Sequence, residues 1–132
     1  VISFQGAMSR ALNVKTRDAI ALAVTQANDC SYCLNAHTYI GKSSVKSSSE
    51  EIALNRQGSS KDPKRAAAAM FAKALVERRG KVTDHELAAV RAAGYTDPEI
   101  IDITALAVQF VLTNFINNMA DTDADFPSVS PV

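Results

Sequence analysis

Apolar residues recur along most of this chain at the three- and four-residue spacing of an amphipathic helix, and capping signals separate the segments so marked. The first segment, roughly residues 1–12, gathers Ile2, Phe4, Met8, Ala11 and Leu12 near one side. The second, about 15–28, is apolar all round through Ala19-Ile20-Ala21-Leu22-Ala23-Val24, which predicts a central helix covered by several neighbours. Asn28-Asp29 supplies a break and an N-cap, placing Cys30 in the first turn of a third helix that reaches about Gly41. Residues 43–49 are serine-rich and read as a loop, and Ser48-Ser49-Glu50-Glu51 reads as a capping box for a short helix ending near Gly58. Asp62-Pro63 joins a cap to a proline at the first helical position and predicts a helix over 63–79, closed by Gly80 behind Arg78 and Arg79. Thr83-Asp84-His85-Glu86 and Thr96-Asp97-Pro98-Glu99 open two more helices, one stopping at Gly94 and one running to about Ala120 before an irregular tail. No segment reads as a strand.

The pattern therefore predicts an all-α, single-domain bundle of about six or seven helices over residues 1–132. Aromatic residues are only 6% of a chain that is 47% hydrophobic, so alanine and aliphatic side chains must fill a closely packed helical core. In the last helix Ile100, Ile101, Ile103, Leu106, Val108, Phe110, Val111, Leu112, Phe115 and Ile116 cover more than one face, more than a small monomer can bury, so a homo-oligomer packed through helical faces is expected. The apolar runs read as too short for a bilayer span, so no membrane partner is expected. Lys+Arg and Asp+Glu balance at 14 each, which gives no field to attract nucleic acid or an anionic membrane surface. The first residue is Val1, which leaves an upstream segment open. Two cysteines so close together do not form the framework of a small secreted domain, and a reducing cytoplasm is the default compartment.

Chemistry concentrates in Asp29-Cys30-Ser31-Tyr32-Cys33-Leu34-Asn35-Ala36-His37, which contains both cysteines and one of the two histidines. Helical spacing would bring Cys30, Cys33 and His37 onto one face, where two thiols and a base could cycle between dithiol and disulfide. Near a helix N-terminus Cys30 should ionise readily and is the candidate nucleophile, with Cys33 as the resolving thiol and His37 as general base or proton relay.

Other chemistries compete less well. Cys30, Cys33 and His37 offer three zinc ligands, but a structural site needs a fourth, for which His85 or a carboxylate would have to serve. His85 sits inside a capping box and reads as solvated. C-type haem attachment fails because Leu34 follows Cys33, and the zincin pattern begun by His85-Glu86 fails at Ala89. Asp121, Asp123 and Asp125 imitate a calcium loop, yet Phe126 stands where the turn glycine belongs. The basic pairs at 64–65 and 78–79 lack interleaved aromatics and read as solvated helix ends. No cofactor or metal is expected.

Arg17-Asp18-Ala19-Ile20-Ala21-Leu22-Ala23-Val24, followed by Asn28-Asp29-Cys30-Ser31-Tyr32-Cys33 and His37, resembles the alkylhydroperoxidase D-like branch of the carboxymuconolactone decarboxylase family. The likeness extends to Ala93-Gly94-Tyr95-Thr96-Asp97 and to the segments 113–115 and 121–127. It implies an all-helical fold assembled as trimers or hexamers. It also implies a thiol peroxidase or disulfide reductase that acts on an organic hydroperoxide or disulfide and draws electrons from a dithiol partner. The family pattern of Glu, eleven residues, Cys-x-x-Cys, three residues and His carries over to Cys30, Cys33 and His37, with Asp18 in the glutamate's place, one methylene shorter. Tyr32 stands where the best-studied members carry a second histidine, and the decarboxylase branch generally lacks the cysteine pair. The reading with most support is a thiol-dependent peroxidase. A disulfide reductase of the same fold, or a non-enzymatic zinc-binding or redox-sensing interaction domain, is the alternative.

Overall fold

The computed structural model describes residues 2–123 and 128–129, and these form seven helices with no strand among them. They are α1 (Ile2–Met8), α2 (Val14–Ala27), α3 (Ser31–Ser43), α4 (Ser49–Arg56), α5 (Pro63–Glu77), α6 (Asp84–Ala92) and α7 (Asp97–Ala120). Most starts are set by one polar side chain closing the first turn. Asp62 accepts from the backbone N–H groups of Lys64 and Arg65 at 2.9 and 3.0 Å. Thr83 with Glu86, and Thr96 with Glu99, complete reciprocal capping boxes. Gly80 and Gly94 have φ of 82° and 105°, a conformation that favours glycine, which is why the chain turns there after α5 and α6.

Two expected elements differ. The first helix ends at Met8, where the Ser9 hydroxyl donates to the Gly6 carbonyl at 2.8 Å, and Asn13 then caps α2 by accepting from the Thr16 N–H at 2.9 Å. At α4 the Ser48 hydroxyl oxygen accepts from the Glu51 N–H, but the Glu51 carboxylate does not return to the cap. It accepts instead from the Ser60 hydroxyl, the Lys61 N–H and the Arg65 guanidinium, tying the α4–α5 loop to the start of α5.

As its apolar circumference requires, α2 lies at the centre, flanked by α3, α4, α5 and α7. Ile20, Leu22 and Val24 are fully buried there, and each removes enough apolar surface from water to contribute about 1.5–3 kcal/mol. Ile20 and Val24 join Ala68, Phe71 and Ala72 of α5 and Ile103, Leu106 and Phe110 of α7 in one continuous core. Alanines on α2 and α5 let these two helices approach closely: Ala19, Ala23 and Ala69 form a second, wholly buried contact.

Helix α7 corrects one expectation. Its 24 residues are long and apolar enough, by length and composition alone, to cross a bilayer. One face is nevertheless built into the core through Ile100, Ile103, Leu106, Ala107 and Phe110, as in a core helix of a packed bundle. The opposite face leaves Ile101, Val108, Leu112, Phe115 and Met119 exposed at spacings of seven, four, three and four, one stripe along the helix.

Candidate active site

At the end of α2, Asn28 closes the helix and Asp29 takes the left-handed conformation, with φ of 51°. This reverses the chain, so Asp29 does not cap the next helix. Cys30 does: it lies one residue outside α3, with extended backbone, and its Sγ accepts from the Cys33 N–H at 3.3 Å. The expected first-turn position of Cys30 is corrected accordingly. The sulfur meets the orphan N–H end of the helix directly, where partial positive charge favours a thiolate.

Cys30 and Cys33 are joined as a disulfide with a Cα–Cα separation of 5.3 Å, within the usual range for such a bond. Both are buried, Cys30 at 1% and Cys33 at 5% exposure. Cys30 lines a cavity of about 210 Å³ with Thr25, Gln26, Asp29, Ser31 and Arg56. Within that wall, the Arg56 Nε donates to the Gln26 side-chain oxygen at 2.9 Å. Cys33 faces α7 instead, where the Asn117 amide donates to its Sγ at 3.6 Å and the Thr113 carbonyl lies 3.9 Å away.

A chain of amides holds this junction. The Asn114 Nδ2 donates to the Thr25 hydroxyl at 3.1 Å, and the Asn28 Nδ2 donates to the Asn114 side-chain oxygen at 3.1 Å. The Asn118 Nδ2 in turn donates to the Asn28 carbonyl at 3.0 Å. The turn that presents Cys30 is thereby bonded to α7 at two places. Sequence reading gave Asn114, Asn117 and Asn118 no role at the site. Their signal was present as three amides in a helix with no charged residue from Ile103 to Ala120, since a polar side chain on such a helix needs a partner.

His37 and Asp18 meet at a second cavity, of about 220 Å³, whose wall includes Met8, Leu106, Gln109 and Phe110. The His37 ring packs edge-on against Phe110 with centroids 5.4 Å apart. Burial lowers its pKa to about 4, so the imidazole is neutral at physiological pH. Burial has the opposite effect on Asp18 and raises its carboxyl to about 7. The Asp18 Oδ2 lies buried with no hydrogen-bond partner among the described residues, close against Gly41, where an added Cβ would come to 3.0 Å from it. The structure thus groups the four predicted residues as two pairs: the sulfurs, bonded to each other, and the acid and base, facing one cavity. Cys33 and His37, four residues apart on α3, connect the pairs, although no hydrogen bond among the described residues joins His37 to a sulfur or to Asp18. Among the described residues no three His, Cys, Asp or Glu side chains converge as metal ligands, and Asp125 and Phe126 of the calcium-like tail lie outside them.

The site is thus a C-x-x-C disulfide at a helix start within an all-helical bundle, an arrangement able to cycle between dithiol and disulfide. This chain belongs to the carboxymuconolactone decarboxylase family, whose sequence profile matches residues 3–75. Two solved structures are similar to it over nearly its full length. One is the alkylhydroperoxidase AhpD core, an uncharacterized peroxidase-related protein from Ralstonia eutropha JMP134, at 26% identity and a TM-score of 0.79, covering 94% of this chain and 68% of that one. The other is an uncharacterized peroxidase-related protein from Silicibacter sp. TM1040, at 18% identity and a TM-score of 0.79, covering 92% of this chain and 66% of that one, a likeness of fold alone. The chain spans about two thirds of the length of both. No curated protein matches it.

Proposed function

We propose that this protein is a thiol-dependent peroxidase that reduces organic hydroperoxides through Cys30 and Cys33 and is returned to the dithiol by a dithiol donor. The observation that carries this reading is the Cys30–Cys33 disulfide seated on the N-terminus of α3. In the reduced state the Cys33 N–H and the helix end stabilise a Cys30 thiolate, which attacks the distal oxygen of the O–O bond. The O–O bond breaks, the alkoxide takes a proton and leaves as alcohol, and Cys30 becomes a sulfenic acid. The Cys33 thiolate then attacks the Cys30 sulfur, forming the disulfide and expelling hydroxide, which takes a proton and leaves as water. Asp18, near its midpoint at pH 7, is suited to accept and to return a proton, and His37, neutral there, is suited to pass it along as a hydrogen-bonding relay. With no hydrogen bond to either sulfur among the described residues, they would act through water in this reading.

The family and the peroxidase-related descriptions of both neighbours support this reading, and the chemistry suits a reducing compartment such as the cytoplasm. The exposed α7 stripe supports assembly with further copies of the chain, as a trimer or hexamer. Light scattering on a Val108→Asp variant should then report a smaller species than wild type.

The test is steady-state consumption of an organic hydroperoxide with several dithiol donors, beside a Cys33→Ser control. Catalytic consumption that the variant loses supports the peroxidase. Reduction of a small disulfide with no peroxide turnover assigns the disulfide reductase instead, and stoichiometric zinc in the purified chain assigns the interaction domain.

A further inference from the structure

Asn117 is the one amide of the α7 series that reaches a cysteine sulfur. Its Nδ2 donates to the Thr113 carbonyl at 2.9 Å and to the Cys33 Sγ at 3.6 Å. A side-chain amide nitrogen carries two hydrogens, so both contacts form together. The first fixes the second, because the opposite amide orientation would set the Asn117 oxygen against the Thr113 carbonyl oxygen. One N–H is therefore anchored within its own helix while the other is aimed at sulfur.

The two sulfurs differ in their surroundings. Cys30 lines the cavity beside Gln26 and Arg56, whereas Cys33 is turned towards α7. A thiolate approaching through that cavity meets Cys30 first. The new S–S bond then forms to Cys30, the Cys30–Cys33 bond breaks, and its electron pair stays on the Cys33 Sγ. Negative charge develops where Asn117 donates and where the Thr113 carbonyl, an acceptor, gives a thiolate no stabilisation. A second donor thiol attacks the donor sulfur of the mixed disulfide and releases Cys30. Overall, one disulfide and two donor thiols become one dithiol and one donor disulfide.

We propose that Asn117 stabilises the Cys33 thiolate as the leaving group during reduction of the Cys30–Cys33 disulfide, and so sets how easily the protein is recharged by its thiol donor. This rests on the dithiol cycle of the proposed function, but its test uses no peroxide. In a Cys30→Ser background, alkylation of Cys33 by iodoacetamide is followed against pH for Asn117, Asn117→Ala and Asn117→Asp. Loss of a hydrogen bond to a charged sulfur should slow alkylation at neutral pH about fivefold in Asn117→Ala, and the added like charge should slow it about tenfold in Asn117→Asp.

With both cysteines present, equilibration against reduced and oxidised glutathione should shift about fivefold towards the protein disulfide in Asn117→Ala, because the reduced form loses stabilisation. Should Asn117→Ala melt without cooperativity, Asn117→Asp, which keeps the side-chain volume, carries both measurements. Unchanged alkylation midpoints and an unchanged glutathione equilibrium in the folded variants would overturn the proposal. A chain that consumes no peroxide yet shows both shifts would sink the peroxidase reading and leave the role of Asn117 standing.

Discussion

Replacing Asp18 by Asn should reveal a pH dependence of stability that the wild-type chain conceals. The Asp18 carboxyl is raised from 3.8 to about 7, so between those values the native state holds a proton that the unfolded chain has lost. Stability then falls as pH rises, by roughly 1.4 kcal/mol per unit and about 4 kcal/mol in all. His37 is lowered from 6.5 to about 4, and between those values the unfolded chain binds the extra proton. Its contribution has the opposite sign: stability rises with pH, by about 2 kcal/mol once its partial solvent exposure is allowed for. The two windows overlap from about pH 4 to 6.5, so in the wild type the His37 slope offsets about half of the Asp18 slope and a net fall with rising pH remains. Asp18→Asn leaves only the rising slope of His37, and His37→Gln leaves only the falling slope of Asp18. Urea unfolding followed by far-UV circular dichroism, at steps from about pH 4 to 7.5, would measure all three profiles. If the Asp18→Asn profile ran parallel to wild type across that range, the carboxyl would titrate alike in the folded and unfolded chains, and the assignment of a neutral acid beside a neutral base would fail.

Three further outcomes follow from the packing and the sulfur chemistry. Gly41→Ala would push a methyl group to 3.0 Å from the Asp18 Oδ2 and 3.3 Å from the Ile52 Cδ1, so it should cost about 1–2 kcal/mol in urea and shift the Asp18 slope. Asn114→Ala removes a fully buried amide bonded to both Thr25 and Asn28, and a loss of about 2–3 kcal/mol is expected; a loss under about 0.5 kcal/mol would mean that the amides do not hold the turn. In the Cys33→Ser protein, a stoichiometric hydroperoxide pulse should trap a sulfenic acid on Cys30 by mass spectrometry. Sulfenic acid on Cys33 in the Cys30→Ser protein, with undiminished consumption, would reverse the order of attack.

The helices were readable because capping is local: Asp62, Thr83 and Thr96 each close their turn within three residues, so residue type and spacing determine the start. Cys30 shows where that logic stops. Asn28-Asp29 has the composition of a cap, yet Asp29 is taken up in reversing the chain after α2, and the cap falls to the next residue. The C-x-x-C pair and its histidine were legible as spacing along one helix and its cap. What lay beyond reach was pairing across the chain: Asn117 meets Cys33 at a separation of 84 residues and Asn114 meets Thr25 at 89, distances over which periodicity carries no information. The separation of Cys30 from His37 and Asp18 into two cavities has the same origin, because the cavity walls come from α1, α2, α3 and α7 on one side and from α2, α3 and α4 on the other.

The most direct test of the account counts thiols. The fully reduced chain carries two, and one equivalent of an organic hydroperoxide should remove both, yield one alcohol and leave a Cys30–Cys33 disulfide that a dithiol donor reopens. Hydroperoxide left unconsumed while both thiols remain titratable would contradict it.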